Sequence, residues 1–258
     1  MSPRVLRSLA TLPALVMMVT AVMAQDAVGP ARALMASWHE DRGRIERARA
    51  LLETAAAARP TAETFVELSR AWFLTGDILA RTDAEKLAAY EHGREAARRA
   101  VAAAPGNDAA HLWLAMNTGR YAETRGMTAG LTMLSSIRES SDTVLRLNPR
   151  NVDGLILAGG ILANVPRLMG GDRGKAETYF KRALEIDPHK TSARIELAEL
   201  YMDTKRWAEA RRELQQVLAE STATDVPRWT VSEVPRARTL LAEIAARDPR
   251  PASPGQSP

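Results

Sequence analysis

Apolar residues along this chain return at helical spacing, and the pattern itself returns after 34 residues. Ala176, Phe180 and Ala183 are echoed by Ala210, Leu214 and Val217. Positions three, four and seven apart fall on one face of an α-helix, so each triplet predicts a helix that buries one side. A repeat of this length is that of a helix-turn-helix unit, which cannot bury its apolar face alone and must stack on its neighbours. Leu197, Ala198 and Tyr201 place a large, a small and an aromatic residue ahead of Ala210, as expected for the helix that pairs with it. Small residues let paired helices approach closely while the large ones fill the groove.

The spacing extends upstream. Ala36, Gly43, Ala48, Leu52, Ala55 and Pro60 form one unit, and Leu68, Ser69, Trp72 and Gly76 open a second. The second closes at Gly93, Ala97, Ala100 and Pro105 about a dozen residues late, so residues 78–89 read as an insertion or an extended helix pair. A third runs from Asp108 through Leu114 and Ala115 to Pro149, and residues 121–130 within it are expected to extend or kink between helices, within reach of a groove. A fourth runs from near Val152 through Gly159 to Pro188, and a fifth from Thr191 to about Thr224. Pro60, Pro105, Pro149 and Pro188 thus separate five hairpins, since proline cannot continue a helix. Residues 232–247, with Val234, Ala237, Leu241 and Ile244 on one face, predict a closing helix that covers the last apolar surface. No segment reads as a strand. The expected fold is therefore all-α, an α-solenoid of about five hairpins with a C-terminal capping helix over residues 29–247, followed by a disordered proline-rich tail at 248–258.

Residues 1–24 follow a different rule. Arg4 and Arg7 precede an uncharged apolar run at 9–22, and Val22, Met23 and Ala24 supply the small residues of a cleavage site, the three parts of an export signal. The run is short of the ~20 residues a membrane-spanning helix needs. The expectation is a periplasmic or secreted protein with no stable membrane insertion after cleavage. Composition changes meaning once this segment is set aside. The formal charge of +4 loses two units with Arg4 and Arg7 and falls to +2, which removes most of the reason to expect nucleic acid. Only Lys86, Lys175, Lys181, Lys190 and Lys205 are lysines; a bias to arginine in such a chain fits carboxylate pairing. The absence of cysteine excludes a disulfide scaffold, a thiolate metal site, a cysteine nucleophile and lipid attachment through a lipobox.

The repeat pattern resembles the tetratricopeptide repeat (TPR) family over residues 29–224, most closely in the last two units. A narrower likeness covers residues 108–220. There, Asn164, Val165, Pro166, Arg167, Leu168, Met169, Gly170, Gly171, Asp172, Lys175, Ala176, Phe180 and Pro188 resemble the T component of tripartite ATP-independent periplasmic (TRAP) transporters. The same short motif also occurs in the regulator of microtubule dynamics family. The transporter resemblance implies a periplasmic protein that assembles as a homo-oligomer and serves a solute-binding protein for organic acids or hydrophobic anions. The departure is the missing lipoprotein cysteine.

Chemistry is sparse. Residues 170–175 lack the first glycine and the hydroxyl residue of a phosphate-binding loop and follow no strand, so glycines for a turn and Asp172 as a helix cap explain them, with an anion contact by Arg167 or Arg173 left open. His39, His92, His111 and His189 lie in different repeats, and no serine sits in a nucleophile elbow. The sequence thus predicts no catalytic residues, no metal site and no cofactor. The resemblance to TPR proteins implies that the first helix of each pair lines a groove, and carrying over the family's groove positions selects Arg70, Phe73, Met116, Arg120, Asn164, Glu199 and Met202, to which the loop adds Arg167. Arginine among Met and Phe suits an amphipathic envelope protein or peptide, or an apolar ligand with a carboxylate. The expected function is an exported, non-enzymatic scaffold that binds such a partner; the alternative is an accessory of a TRAP transporter.

Overall fold

A computed structural model describes residues 27–248. The predicted export signal and the tail beyond Asp248 lie outside the described residues. Among those described, all regular structure is helical. Eleven helices of eight residues or more follow one another: α1 (Val28–Met35), α2 (Gly43–Ala58), α3 (Ala62–Leu74), α4 (Asp83–Ala103), α5 (Asp108–Arg125), α6 (Met127–Leu147), α7 (Val152–Asn164), α8 (Arg173–Ile186), α9 (Thr191–Asp203), α10 (Trp207–Ala219) and α11 (Val234–Arg247). Taken in chain order they make five pairs and a closing helix, an α-solenoid of TPR-like hairpins. The four prolines fall between pairs, and the residues after them start the next helix. Thr61 accepts from the Thr64 amide, Asn107 from those of Ala109 and Ala110, and Asn151 from that of Gly154. Each side chain thereby satisfies a helix-start amide that has no partner within the helix.

The late closure of the second repeat is helix, not loop. After a π-helical turn at Thr75–Leu79, Thr82 and Glu85 form a capping box and α4 runs for 21 residues. Residues 121–130 extend one helix and then kink into the next, as expected. α5 continues to Arg125, Gly126 breaks it at φ 94°, and α6 begins at Met127.

The chain divides into two units between Met133 and Leu134. In the first, α1, α3 and α5 lie side by side while α2 and α4 pack behind them. Ala48, Leu52, Ala71, Phe73, Ala97, Ala100 and Ala115 are fully or almost fully buried. Helices approach closely where glycine stands. A Cβ on Gly76 would lie 2.5 Å from the Tyr90 ring, and one on Gly93 would overlap the Asn117 side chain. Asn117, entirely buried, donates to the Ser69 hydroxyl at 3.0 Å and to the Trp113 carbonyl at 3.0 Å, while Ser69 donates to the Gly93 carbonyl at 2.8 Å. Three helices are thus joined by buried hydrogen bonds, which fix their register.

In the second unit α7 and α9 lie side by side, with α8 and α10 behind them and α11 against α9 and α10. All six residues of the 34-residue echo, Ala176, Phe180, Ala183, Ala210, Leu214 and Val217, have no exposed surface. Gly159 receives the edge of Phe180, with its Cβ position 2.5 Å from the ring. The closing helix buries Ala237 and Ile244 as expected, with Leu240 buried in place of Leu241, and Leu241 and Val234 are only partly covered.

Candidate functional site

In the first unit, the face built by α1, α3 and α5 is laced by ion pairs between successive first helices. Arg32 reaches Glu63 at 3.0 Å and Glu67 at 2.7 Å, and Arg120 reaches Asp77 at 3.3 Å and its own-helix Glu123 at 3.0 Å. Glu67 is buried, and its second carboxylate oxygen lacks a hydrogen bond, with Arg70 the cation 3.8 Å away. Burial pulls the Arg120 guanidinium toward losing its proton, but Asp77 and Glu123 outweigh that and raise its pKa. Arg120 is therefore a strut between repeats, in keeping with an arginine bias that serves carboxylate pairing.

Phe73 is also structural. It is 1% exposed, with Tyr90 at 6.1 Å and Trp113 edge-on at 5.4 Å. Open positions on the α3–α5 part of this face include Arg70, with 35% of its side chain exposed, the half-buried Met116, and Gly119, whose Cβ position has nothing within 4 Å.

The second unit treats its four expected site residues in two ways. Glu199 accepts from Arg236 of α11 at 2.6 and 2.8 Å, and Met202 is 7% exposed in the core that α11 completes. Both residues of the fifth repeat therefore serve the cap: α11 packs on the face that a further repeat would otherwise cover. Asn164 and Arg167 remain exposed. Asn164 donates to the Gly160 carbonyl at 2.9 Å, and Arg167 lies in a 3₁₀ turn, Arg167–Met169.

The glycine pair after that turn is structural. Gly170 is left-handed at φ 88°, a Cβ on Gly171 would overlap the Val165 carbonyl, and Asp172 caps α8 by accepting from the Lys175 amide at 3.0 Å. Beside the turn lies a cleft of about 640 Å³. Leu168, wholly exposed, and Met169, 39% exposed, stand at this turn; the sequence placed both in the 164–188 motif but not among the candidate site residues, since they are an apolar pair outside the helical period.

The other polar clusters hold helices together. Glu177 accepts from Arg206 and from the Tyr201 hydroxyl and pairs with Lys181, and these partners, Arg206 foremost, hold its carboxyl down to about 2. Glu220 is likewise held at about 2, chiefly by the Thr222 amide, with His189 at 3.2 Å. Carboxylates so firmly ionised make weak general bases near neutral pH. Among the described residues no group of three or more His, Asp or Glu could hold a metal ion, and no helix is long and apolar enough to cross a membrane.

The sequence profile of the tetratricopeptide repeat matches residues 168–229, and that of regulator of microtubule dynamics protein 1-3 matches residues 33–160. A curated relative, the DnaJ homolog subfamily C member 7 homolog of Schizosaccharomyces pombe, is 43% identical over 51 residues, 20% of this chain and 10% of its own. The chain thus spans about a tenth of that relative. The crystal structure of TTC0263, a thermophilic TPR protein of Thermus thermophilus, superposes with a TM-score of 0.64 at 22% identity, covering 86% of this chain and 99% of its own. The hetero-tetramer Cut9–Hcn1 gives 0.55 at 15% identity over 91% of this chain and 44% of that one. At such identities the likeness is one of fold. No catalytic family is indicated, and the resemblance of residues 108–220 to the transporter T component finds no support here. Repeat profile over residues 168–229, buried 34-residue echo and superposition together show a helical-repeat fold like that of tetratricopeptide repeat proteins.

Proposed function

We propose that this chain is an exported, non-enzymatic scaffold that holds a partner protein or peptide against the first-helix face of its first unit. The observation that carries the reading is the open strip of Arg70, Met116 and Gly119 on α3 and α5, two helices fixed side by side by the Asp77–Arg120 pair and the Ser69–Asn117 bonds. A strip held by ion pairs and buried hydrogen bonds is preorganised, so a partner loses its own freedom on binding but little of the scaffold's. Residues 1–24 support export.

Blocking the strip tests it without disturbing the fold. Gly119→Trp places a large side chain where a Cβ meets nothing. Affinity capture from extracts of the source cells should return partners that the Gly119→Trp protein loses, while both proteins melt at the same temperature. Equal capture by the two proteins would overturn the placement. Arg120 and Phe73 are unsuitable for this test because replacing either loosens the repeat itself. Recovery of the full-length chain, with residues 1–24 retained, in the cytoplasmic fraction would refute export.

A further inference from the structure

The turn between α7 and α8 carries more than a turn requires. Gly170, Gly171 and Asp172 suffice to reverse the chain and start α8. Beyond them the turn leaves Leu168 wholly in solvent and Met169 39% exposed. The Arg167 guanidinium, also exposed, makes no hydrogen bond or ion pair among the described residues. Behind the turn the Arg138 guanidinium packs on Gly170, within 3.3 Å of the Cβ position, and its buried Nη2 lacks an acceptor. The cleft of about 640 Å³ beside the turn has apolar walls from Leu162, Val165 and Pro166, and Arg167 and Arg173 at its rim.

Charge here is one-sided. Arg138, Arg167, Arg173 and Lys175 gather at this turn, and the carboxylates paired with them are Asp172, 3.9 Å from Lys175 and already accepting from an amide, and Asp203, 3.6 Å from Arg173 with both partners more than half exposed. Ion pairs that exposed exchange readily with an incoming carboxylate. Apolar surface left open beside the unpaired Arg167 and the loosely paired, exposed Arg173 and Lys175 is the combination that an acidic, apolar segment satisfies. Its hydrophobic side chain leaves water, and its carboxylates find guanidinium groups.

We infer that this cleft docks an acidic, apolar segment of a partner protein. A large apolar side chain enters between Leu162, Val165 and Pro166, carboxylates meet Arg167 and Arg173, and Leu168 and Met169 cover the segment from the side. A basic segment is disfavoured because it would bring cations against four others. The inference rests on the reading of the chain as a scaffold and adds to it a second contact place of defined charge.

Fluorescence anisotropy of the full chain tests it with a labelled peptide alternating Glu with Leu and Phe, against a counterpart with Lys for Glu. The acidic peptide should bind with Kd below about 100 μM, at least about tenfold tighter than the lysine peptide, and weaken several-fold from 50 to 300 mM salt. Arg167→Glu with Leu168→Ser, both at exposed positions, should lower its affinity at least about tenfold with an unchanged melting temperature. Equal binding of the two peptides, or unchanged affinity of the double variant, overturns the inference. So does tighter binding of the protein to anionic phosphatidylglycerol vesicles than to the peptide, which would make the occupant a lipid surface. Gly119→Trp separates this inference from the scaffold reading. If that substitution, and not the cleft variant, abolishes peptide binding, the peptide sits on the first unit, and the cleft proposal falls while the scaffold stands.

Discussion

Gly159→Ala should destabilise the protein although it puts the best helix former into the middle of a helix. Alanine is favoured over glycine in a helix interior by about 1 kcal/mol. Against that, the new Cβ would lie 2.5, 2.8 and 3.0 Å from three atoms of the Phe180 ring, where ordinary contact begins at 3.4 Å. The ring has to retreat by about 1 Å, and it has nowhere to go, since Phe180 is fully buried beside Ala176, Leu197 and Tyr201, themselves 2% exposed or less. Overpacking of this kind costs about 1–3 kcal/mol, which outweighs the propensity gain and leaves a net loss of about 1 kcal/mol. Gly160 is the control one residue along. Its nearest neighbour is a Glu196 carboxylate oxygen at 3.9 Å, so Gly160→Ala should collect the propensity gain alone. The two alanine variants should then differ by about 2 kcal/mol, or about 4–8 °C in melting temperature for a chain of this length. Circular dichroism at 222 nm during heating reads the difference, and Phe180→Leu should relieve the clash, making the double variant less damaged than the two single losses added together. If both alanines stabilise equally, close approach at Gly159 is not what the fold requires.

Two carboxylates make opposite predictions with pH. Burial pushes the Glu233 carboxyl up despite its hydrogen bond from the Thr191 hydroxyl, so its contribution is full below the unfolded pKa and is lost as pH rises through the folded value. Glu233→Gln should therefore melt higher than the parent at pH 7.5, with the gap closing toward pH 4; a lower melting temperature at pH 7.5 would refute the burial argument. Glu177, held at about 2 by Arg206 first and then by Lys181 and the Tyr201 hydroxyl, contributes fully above its unfolded pKa and loses that contribution as pH falls from about 4.5 toward 2. Glu177→Gln should cost about 1–3 kcal/mol in urea melts at pH 7 and progressively less in acid, and a pH-independent cost would show that packing, not charge, holds that corner.

Much of the architecture was legible because it rests on local rules. Ala176, Phe180, Ala183 and their echoes at Ala210, Leu214 and Val217 are spaced to share one helix face, and any stack of hairpins must bury that face. Proline and the capping residues after it set the breaks. The candidate site was much less legible. Phe73, Arg120, Glu199 and Met202 occupy groove positions by repeat register, yet the structure gives them to the core, to an inter-repeat strut and to the cap. Register says which way a side chain points along its helix; it does not say what the next helix puts there. The buried Asn117–Ser69–Gly93 bonds were invisible for the same reason, since their partners lie 48 and 24 positions apart. Leu168 and Met169 were visible in the 164–188 motif but not as site residues, because groove positions are assigned by periodicity, which detects residues that belong to a face, and these belong to none.

The sequence by itself determined that this chain is a row of helical pairs, where each pair begins and ends, and which small and large residues meet inside it, because helix periodicity, proline and caps act over a few residues. Only the tertiary structure decided which arginines are free. An arginine's role depends on whether a carboxylate from a distant helix comes within about 4 Å of it, and that distance is set by packing. Arg120 found Asp77 and became a strut; Arg167 found no carboxylate and stands at the rim of an apolar cleft.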